Sequence, residues 1–262
     1  MKNLAVLFIF SVGWLSHCKP TYTDNGSHLK WMDSYKDPLL SKVADSLKHL
    51  IPILDSVLRT DQRYRVVGDP AVFQRNFKKQ QELDVINLKK VTGIIDTFGW
   101  LNIKDIGMIG SRAINMVMIH SNVETKLKYY PKIIQAFRQG KIFSESVALY
   151  EDKMNLMLKR RQFYGSQITR YQDHSVVSPL VDAAKIDSIR NGIGLSPLRI
   201  YLTYFGNPDL DMKIYKTNLA EIINLYKIND SLPIHTDLQH IMDSLKYSRP
   251  LMTDSTGSPL RR

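Results

Sequence analysis

Hydrophobic residues recur every three or four positions along most of this chain, which is the spacing of one face of an α-helix. A different pattern appears at "SQITRYQDHSVVSPL" (166–180), where β-branched residues alternate around a polar turn and predict a short hairpin. The chain is therefore predicted to be mainly α, a multi-helix globular domain with one small β-hairpin. Helices are predicted over about 38–54, 82–98, 109–120, 123–139, 144–165, 182–192, 197–205, 216–228 and 236–247.

The first apolar run does not belong to this globular pattern. Leu4 to Leu15 carries no charge and follows Lys2, and the single cysteine of the chain, Cys18, comes three residues after it. A helix of that length reaches about 18 Å, which is short of the ~30 Å hydrocarbon core of a membrane. A charged head, an apolar middle and a polar exit are typical of a secretory signal peptide.

A cysteine placed directly after such a segment resembles the lipobox of bacterial lipoproteins, in which the signal peptide is cut before a lipid-modified cysteine. Leu15 and Ser16 fit that pattern, whereas His17 stands where Gly, Ala or Ser is usual. The alternative is a plain cleaved signal peptide, which would leave Cys18 as a thiol without a disulfide partner. The predicted regions are a signal peptide (1–17), a lipidated Cys18 with a tether (18–37), a mostly helical domain (38–205), a helical C-terminal extension (206–247) and a disordered tail (248–262).

The charge balance bears on the partners of the protein. The chain carries 36 Lys and Arg against 25 Asp and Glu, a net charge of +11. At a bacterial cell envelope this charge favours anionic lipid or an acidic envelope polymer as a partner, in addition to the membrane that the lipid on Cys18 would enter. The same location argues against nucleic acid, and no protein partner is indicated.

Several spaced motifs occur in one order along the domain. They are "DQRYR" (61–65), "DVINLKKVTGIIDTFGW" (84–100), "IGSRAINMVMIHSN" (109–122), "YEDKMNLMLKRRQFYGSQI" (150–168) and "RNGIGLSPLRIYL" (190–202). Together they resemble a bacterial family of unknown function whose members read roughly D-x-x-N, GWP, Q-H-A/S-D, L-x-D-R-V, G-x-x-Q-x-Y-G-T-Q and R-x-x-V-G-L-x-P-L-x-x-Y. The resemblance covers about Leu54–Leu202. It implies a shared domain but no reaction, because the family has no activity to carry over.

The chain departs from that family pattern at several positions. Ile119 replaces Gln and Asn122 replaces Asp on either side of His120, and Leu101 replaces the Pro of GWP. Further departures are Lys153-Met154 for Arg-Val and Ser166 for Thr. The loss of Gln and Asp beside the histidine counts against a catalytic role for that segment.

His120 and Asp152 are the candidates for an acid and base pair. His120 lies on the apolar face of its predicted helix, where an imidazole is either a general base or ligand, or a core histidine bonded to a backbone carbonyl. Asp152, Asn155, Lys159 and Gln162 form one narrow polar stripe on the long predicted helix. That stripe either borders a cleft or faces solvent.

Gln162, Tyr164 and Gln167 are the candidates for binding, together with Arg190. Neutral amides and a phenol suit the recognition of sugars or peptide groups. The alternative is that they only satisfy the polar groups of a helix end and the adjacent hairpin. Arg190 is predicted to pair with Asp152 or Asp182 as a structural clamp, with anion binding as the alternative.

No motif of an activated nucleophile, nucleotide site or metal site occurs, so neither a cofactor nor a metal is predicted. The leading prediction is a cell-envelope lipoprotein that acts as a non-catalytic binding or structural module. The alternative is an envelope hydrolase in which His120 and Asp152 act on a polymer or peptide substrate.

Overall fold

The computed structural model describes residues 8–9, 29–65, 70–171, 174–203 and 212–248. Within these ranges the protein is mainly helical with one antiparallel hairpin, which confirms the predicted fold class. The hairpin consists of β2 (Ile168–Tyr171) and β3 (His174–Val177). The helices are α1 (Trp31–Ser34), α2 (Asp45–Lys48), α3 (Leu50–Gln62), α4 (Pro70–Phe98), α5 (Ile103–His120), α6 (Val123–Arg138), α7 (Ser144–Met157), α8 (Ile186–Gly192), α9 (Leu198–Thr203), α10 (Met212–Tyr226) and α11 (Asp237–Ser248), with a 3-10 turn at Leu40–Lys42.

Two parts of the N-terminal region are described. Phe8–Ile9 (β1) pairs antiparallel with β2, with Phe8 opposite Thr169. α1 lies within the predicted tether, and its Met32 is buried in the core. Cys18 and the rest of the predicted signal peptide lie outside the described residues, as do residues 249–262 of the predicted tail.

The long predicted helix at 144–165 is shorter in the structure. α7 ends at Met157, and Lys159 adopts a left-handed conformation with φ of 61°. The Arg160 backbone amide donates to the Asn155 carbonyl at 2.8 Å, which closes the helix end. Gln162 therefore lies in the following loop, where it bridges to Leu180, and the predicted helix was too long.

α5 begins with a capping box and bends near its start. The Asn102 side chain accepts from the Lys104 amide at 2.7 Å, and the Asp105 side chain accepts from the Asn102 amide at 2.8 Å. Gly107 has φ of 72°, which only glycine adopts without strain. The Asp37 carboxylate accepts a hydrogen bond from the backbone amide of Met108, the next residue.

The described residues build two hydrophobic clusters. The larger one lies among α3 to α7 and includes residues of α11, whereas the smaller one lies between the hairpin and α8 to α10. α3 packs chiefly against α5, which brings the ends of these two helices together. None of the described helices combines the length and the apolar character that a membrane crossing needs.

Candidate functional site

His120 is the last residue of α5, and its side chain meets Asp61 near the end of α3. The His120 Nδ1 atom lies 2.9 Å from both carboxylate oxygens of Asp61. The two side chains are 2% and 1% exposed, so the contact is sealed from bulk water. This is the geometry of an imidazole whose orientation is fixed by a carboxylate.

Further polar groups complete the surroundings of Asp61. Arg65, one turn later, places Nη1 3.3 Å from Asp61 Oδ1, and it donates to the Asp61 carbonyl. Its Nη2 atom lies 2.6 Å from Asp84 Oδ2 on α4. Gln62 donates to Asp61 Oδ2 at 2.6 Å, and Gln80 donates to Asp84 Oδ1 at 2.7 Å. The Asp61–His120 cluster is Asp61, Gln62, Arg65, Gln80, Asp84 and His120.

The charges of this cluster follow from its burial. Burial, together with the nearby Arg65 charge, lowers the pKa of His120 to about 4, although Asp61 opposes both effects. Burial raises the pKa of Asp61, but His120, Arg65 and Gln62 outweigh that effect and hold the pKa below its ordinary value. His120 is therefore neutral at neutral pH and donates from Nδ1 to an ionised carboxylate.

Asp152, the predicted partner of His120, makes different contacts. Its Oδ1 atom accepts from the amides of Phe163 at 2.7 Å and Tyr164 at 2.9 Å, and its Oδ2 atom accepts from the Ser166 amide at 2.8 Å. Burial raises the pKa of Asp152, and these amide bonds oppose the rise. No hydrogen bond found between described residues joins Asp152 to His120, and Asp152 instead holds the loop that follows α7.

The predicted binding residues are turned inwards. The side-chain nitrogen of Gln162 donates to the backbone carbonyls of Gln167 and Ser178, at 3.0 and 2.7 Å. Its side-chain oxygen accepts from the backbone amide of Gln167. The Gln167 side chain donates to the Leu149 carbonyl at 3.4 Å. Both side chains are buried, and their contacts are those of the structural alternative, in which amides satisfy a helix end and the adjacent hairpin.

Arg190 is a clamp between backbone segments. Its Nε atom donates to the Ser196 carbonyl at 2.7 Å, its Nη1 atom donates to the Tyr164 carbonyl at 2.8 Å, and its guanidinium lies 4.8 Å from the centre of the Tyr201 ring. The partners are thus carbonyls and a ring, whereas the sequence predicted Asp152 or Asp182. The Asp152 frame is Asp152, Gln162, Gln167 and Arg190.

Comparison with known proteins identifies the domain. A model described as a family of unknown function (DUF6624) matches residues 67–213, which is more than half of the chain. The chain belongs to the DUF6624 family. No curated protein and no solved structure matches it.

The DUF6624 match includes His120, Asp84 and the whole Asp152 frame, and it begins after Asp61 and Arg65. The sequence analysis did not single out Asp61 as a site residue, although the apolar spacing of α3 contains a signal for its position. Leu54, Leu58 and Asp61 share one face of α3, so the carboxylate continues an apolar stripe. Among the residues that the structure describes, no three His, Cys, Asp or Glu side chains are grouped so as to hold a metal ion.

The part of the predicted polar stripe that lies on α7 is buried. Asp152 and Asn155 are each 0% exposed, whereas Lys159, which follows the end of α7, is exposed. Glu151, the neighbour of Asp152, which the sequence did not single out, is also 0% exposed and accepts from the Tyr130 hydroxyl at 2.7 Å. Burial raises the pKa of Glu151 to about 7. Glu151 also accepts from the Leu238 amide of α11, a helix that comes after the matched range.

Proposed function

We propose that this protein is a lipid-anchored component of a bacterial cell envelope, held by a lipid on Cys18. Support comes from the uncharged segment Leu4–Leu15, its position after Lys2, and the use of the single cysteine at its end. Cleavage before Cys18 removes Phe8–Ile9 and leaves β2 as the edge strand of the hairpin.

Metabolic labelling with a palmitate analogue tests the anchor. The wild-type chain takes up the label and fractionates with membranes, and Cys18→Ala loses both properties. Ser16→Ala is the matched control, because it changes a neighbouring small residue and keeps the thiol. Equal labelling of wild type and Cys18→Ala would refute the anchor.

We further propose that the domain is a non-catalytic binding or structural module. The observation that carries this proposal is the use of its polar groups within the fold. Asp152 holds three backbone amides, and Gln162 and Arg190 hold backbone carbonyls. Groups committed in this way stiffen a domain and are not available to a substrate.

The net charge of +11 indicates an anionic partner at the membrane. Co-sedimentation of the mature chain from Cys18 onward, prepared without the lipid, with vesicles tests this. Vesicles with about 30% anionic lipid should bind the chain at low salt and release it as the Debye length shortens, whereas neutral vesicles should not. Salt-independent binding, or none to either vesicle, would contradict an electrostatic partner.

A second candidate function, a hydrolase, is favoured by one observation. His120 Nδ1 lies 2.9 Å from the Asp61 carboxylate, which orients the imidazole as a general base is oriented. Because the His120 side chain is only 2% exposed, this function also requires the contact between α3 and α5 to open to the substrate. The partner of His120 is then Asp61 and no longer Asp152. Labelled peptidoglycan and a labelled protein serve as substrates. His120→Gln should lower turnover about 100-fold or more. Gln139→Ala, at an exposed residue directly after α6, is the control and should leave turnover unchanged. No turnover by the wild type, or turnover that His120→Gln leaves intact, would reject the hydrolase.

A further inference from the structure

A groove on α7 is filled by a segment from the far end of the chain. The α7 groove is lined by Tyr130, Glu151, Asn155 and Tyr164, all of which lie within residues 67–213. The segment over it is 229–244, which begins after that range and includes the first part of α11. The domain therefore provides the groove, and a separate part of the chain provides what occupies it.

The groove holds this segment through its backbone. Asn155 Nδ2 donates to the His235 carbonyl at 3.0 Å, and Asn155 Oδ1 accepts from the His235 amide at 2.9 Å. This reciprocal pair is how a neighbouring β-strand would pair with residue 235. The Glu151 carboxylate accepts from the Leu238 amide at 3.0 Å, and the Tyr164 hydroxyl accepts from the Gln239 amide at 3.1 Å. Recognition of amides and carbonyls does not depend on the side chains of the occupant.

The groove also provides hydrogen-bond acceptors for the first turn of α11. Leu238 and Gln239 are the second and third residues of α11, whose amides have no partner inside the helix. Glu151 and Tyr164 provide the two acceptors, and they are 87 and 75 positions away in the sequence. A helix of the length of α11 is marginal in water on its own, so its folding is coupled to docking.

Two apolar side chains anchor the segment. Leu238 is 0% exposed and Ile241 is 7% exposed, and both join the larger hydrophobic cluster. They are three residues apart, so they project from the same side of α11.

Two further contacts join the segment to the domain. Arg161 donates two hydrogen bonds to the Asp230 carboxylate, at 2.6 and 2.8 Å. The His235 ring meets the Tyr130 ring edge-on at 5.3 Å.

We propose that the α7 groove is a peptide-binding site that residues 229–244 occupy in cis. Its partner in trans is an unstructured peptide with the same chemistry: an extended residue, a helical turn that offers two free amides, and two aliphatic side chains three positions apart. This inference deepens the proposed binding function, because it names the class of ligand.

A labelled synthetic peptide of residues 229–244 serves as the probe, and its binding to the purified full chain is followed by fluorescence anisotropy. The cis segment competes at a high effective concentration, so the wild-type chain should bind the peptide weakly. Leu238→Ala in the chain weakens the cis segment and should tighten peptide binding about tenfold or more. Adding Asn155→Ala to that variant should remove the gain.

Leu127→Ala is the matched control, since it makes the same substitution at a leucine of α6 that is 44% exposed. It should leave peptide affinity at the wild-type level. A peptide carrying Leu238→Ala should bind the Leu238→Ala chain at least about tenfold more weakly than the unchanged peptide does. Equal affinity of the wild-type and Leu238→Ala chains for the peptide overturns the proposal, and so does a wild-type dimer formed by exchange of the segment.

Hydrogen exchange on the wild type keeps the proposal testable if Leu238→Ala does not fold. The amides of Leu238 and Gln239 should exchange through a local opening, about 100-fold faster than those of Ala113 and Ile114 in α5. Equal protection of the two sets would mean that the segment leaves only on global unfolding, and the proposal would be wrong. Loss of vesicle binding or labelling would count against the proposed function and leave this result untouched.

Discussion

The buried carboxyl of Glu151 gives the sharpest test of the structure, through the substitution Glu151→Gln. The side chain is 0% exposed and accepts hydrogen bonds at Oε1 from the Tyr130 hydroxyl and the Leu238 amide. Burial raises its pKa from 4.5 to about 7, although these donors oppose the rise and the nearby Asp152 charge adds to it. Glutamine keeps the shape and one acceptor oxygen and removes the ionisation.

The sign and size of the effect follow from the two pKa values of Glu151. In the unfolded chain Glu151 loses its proton near pH 4.5, whereas in the folded protein it keeps the proton until about pH 7. Between these values the unfolded state binds fewer protons, so the free energy of unfolding falls as the pH rises. The full loss is about 3 kcal/mol, at about 1.4 kcal/mol for each tenfold change in proton affinity.

Urea unfolding at a series of pH values from 4 to 8 measures this loss. The difference in the free energy of unfolding, Glu151→Gln minus wild type, should grow by about 3 kcal/mol between pH 4.5 and 7 and stay level above it. Glu82→Gln, at an exposed site on α4, is the control and should show no such growth. A difference that does not change with pH would refute the argument from burial.

Three further predictions concern stability and are measured by urea unfolding. Asp152→Ala leaves three backbone amides, two of them buried, without an acceptor and should cost about 3 kcal/mol or more. Asp182→Ala, which removes two amide bonds at a more exposed turn, should cost about 1 kcal/mol. Arg190→Lys cannot reach both carbonyls and should cost about 2 kcal/mol, whereas equal stability would mean that the clamp contributes nothing. Gly107→Ala places a Cβ 2.6 Å from a carboxylate oxygen at φ of 72° and should cost about 2 kcal/mol, while Gly93→Ala in open helix should stabilise by up to about 1 kcal/mol.

Local periodicity predicted the class of fold but not the bounds of its helices. The hairpin and most helices follow from apolar spacing, because each buries one face in a cluster. α7 was predicted too long since Leu158 and Phe163 continue the apolar pattern, although Lys159 turns the backbone away. The first part of α4, "PAVFQRNFKKQQ", is mostly polar and has no stripe to find, so the helix start at Pro70 was missed.

The candidate site was only partly visible in the sequence for a physical reason. His120 was placed on the apolar face of its helix, where the structure has it, whereas the stripe that carries Asp152 was expected to border a cleft or face solvent and is buried. The partners of both residues are set by long-range packing. Asp61 is 59 positions from His120, and Glu151 is 87 positions from Leu238. Spacing within one helix carries no information about such contacts, so the pairing of His120 with Asp152 rested on residue type alone.

Asn122 lies at the junction between α5, which ends at His120, and α6. Asn122 caps α6 by accepting from the Thr125 amide at 2.8 Å, a role that aspartate performs equally well. The buried Lys126 then reaches back from α6 and donates to the carbonyls of Met118 and Ile119 at 2.8 Å each. These carbonyls belong to the last turn of α5, so α6 fixes the end that carries His120. Asn122 therefore shapes the junction of the two helices.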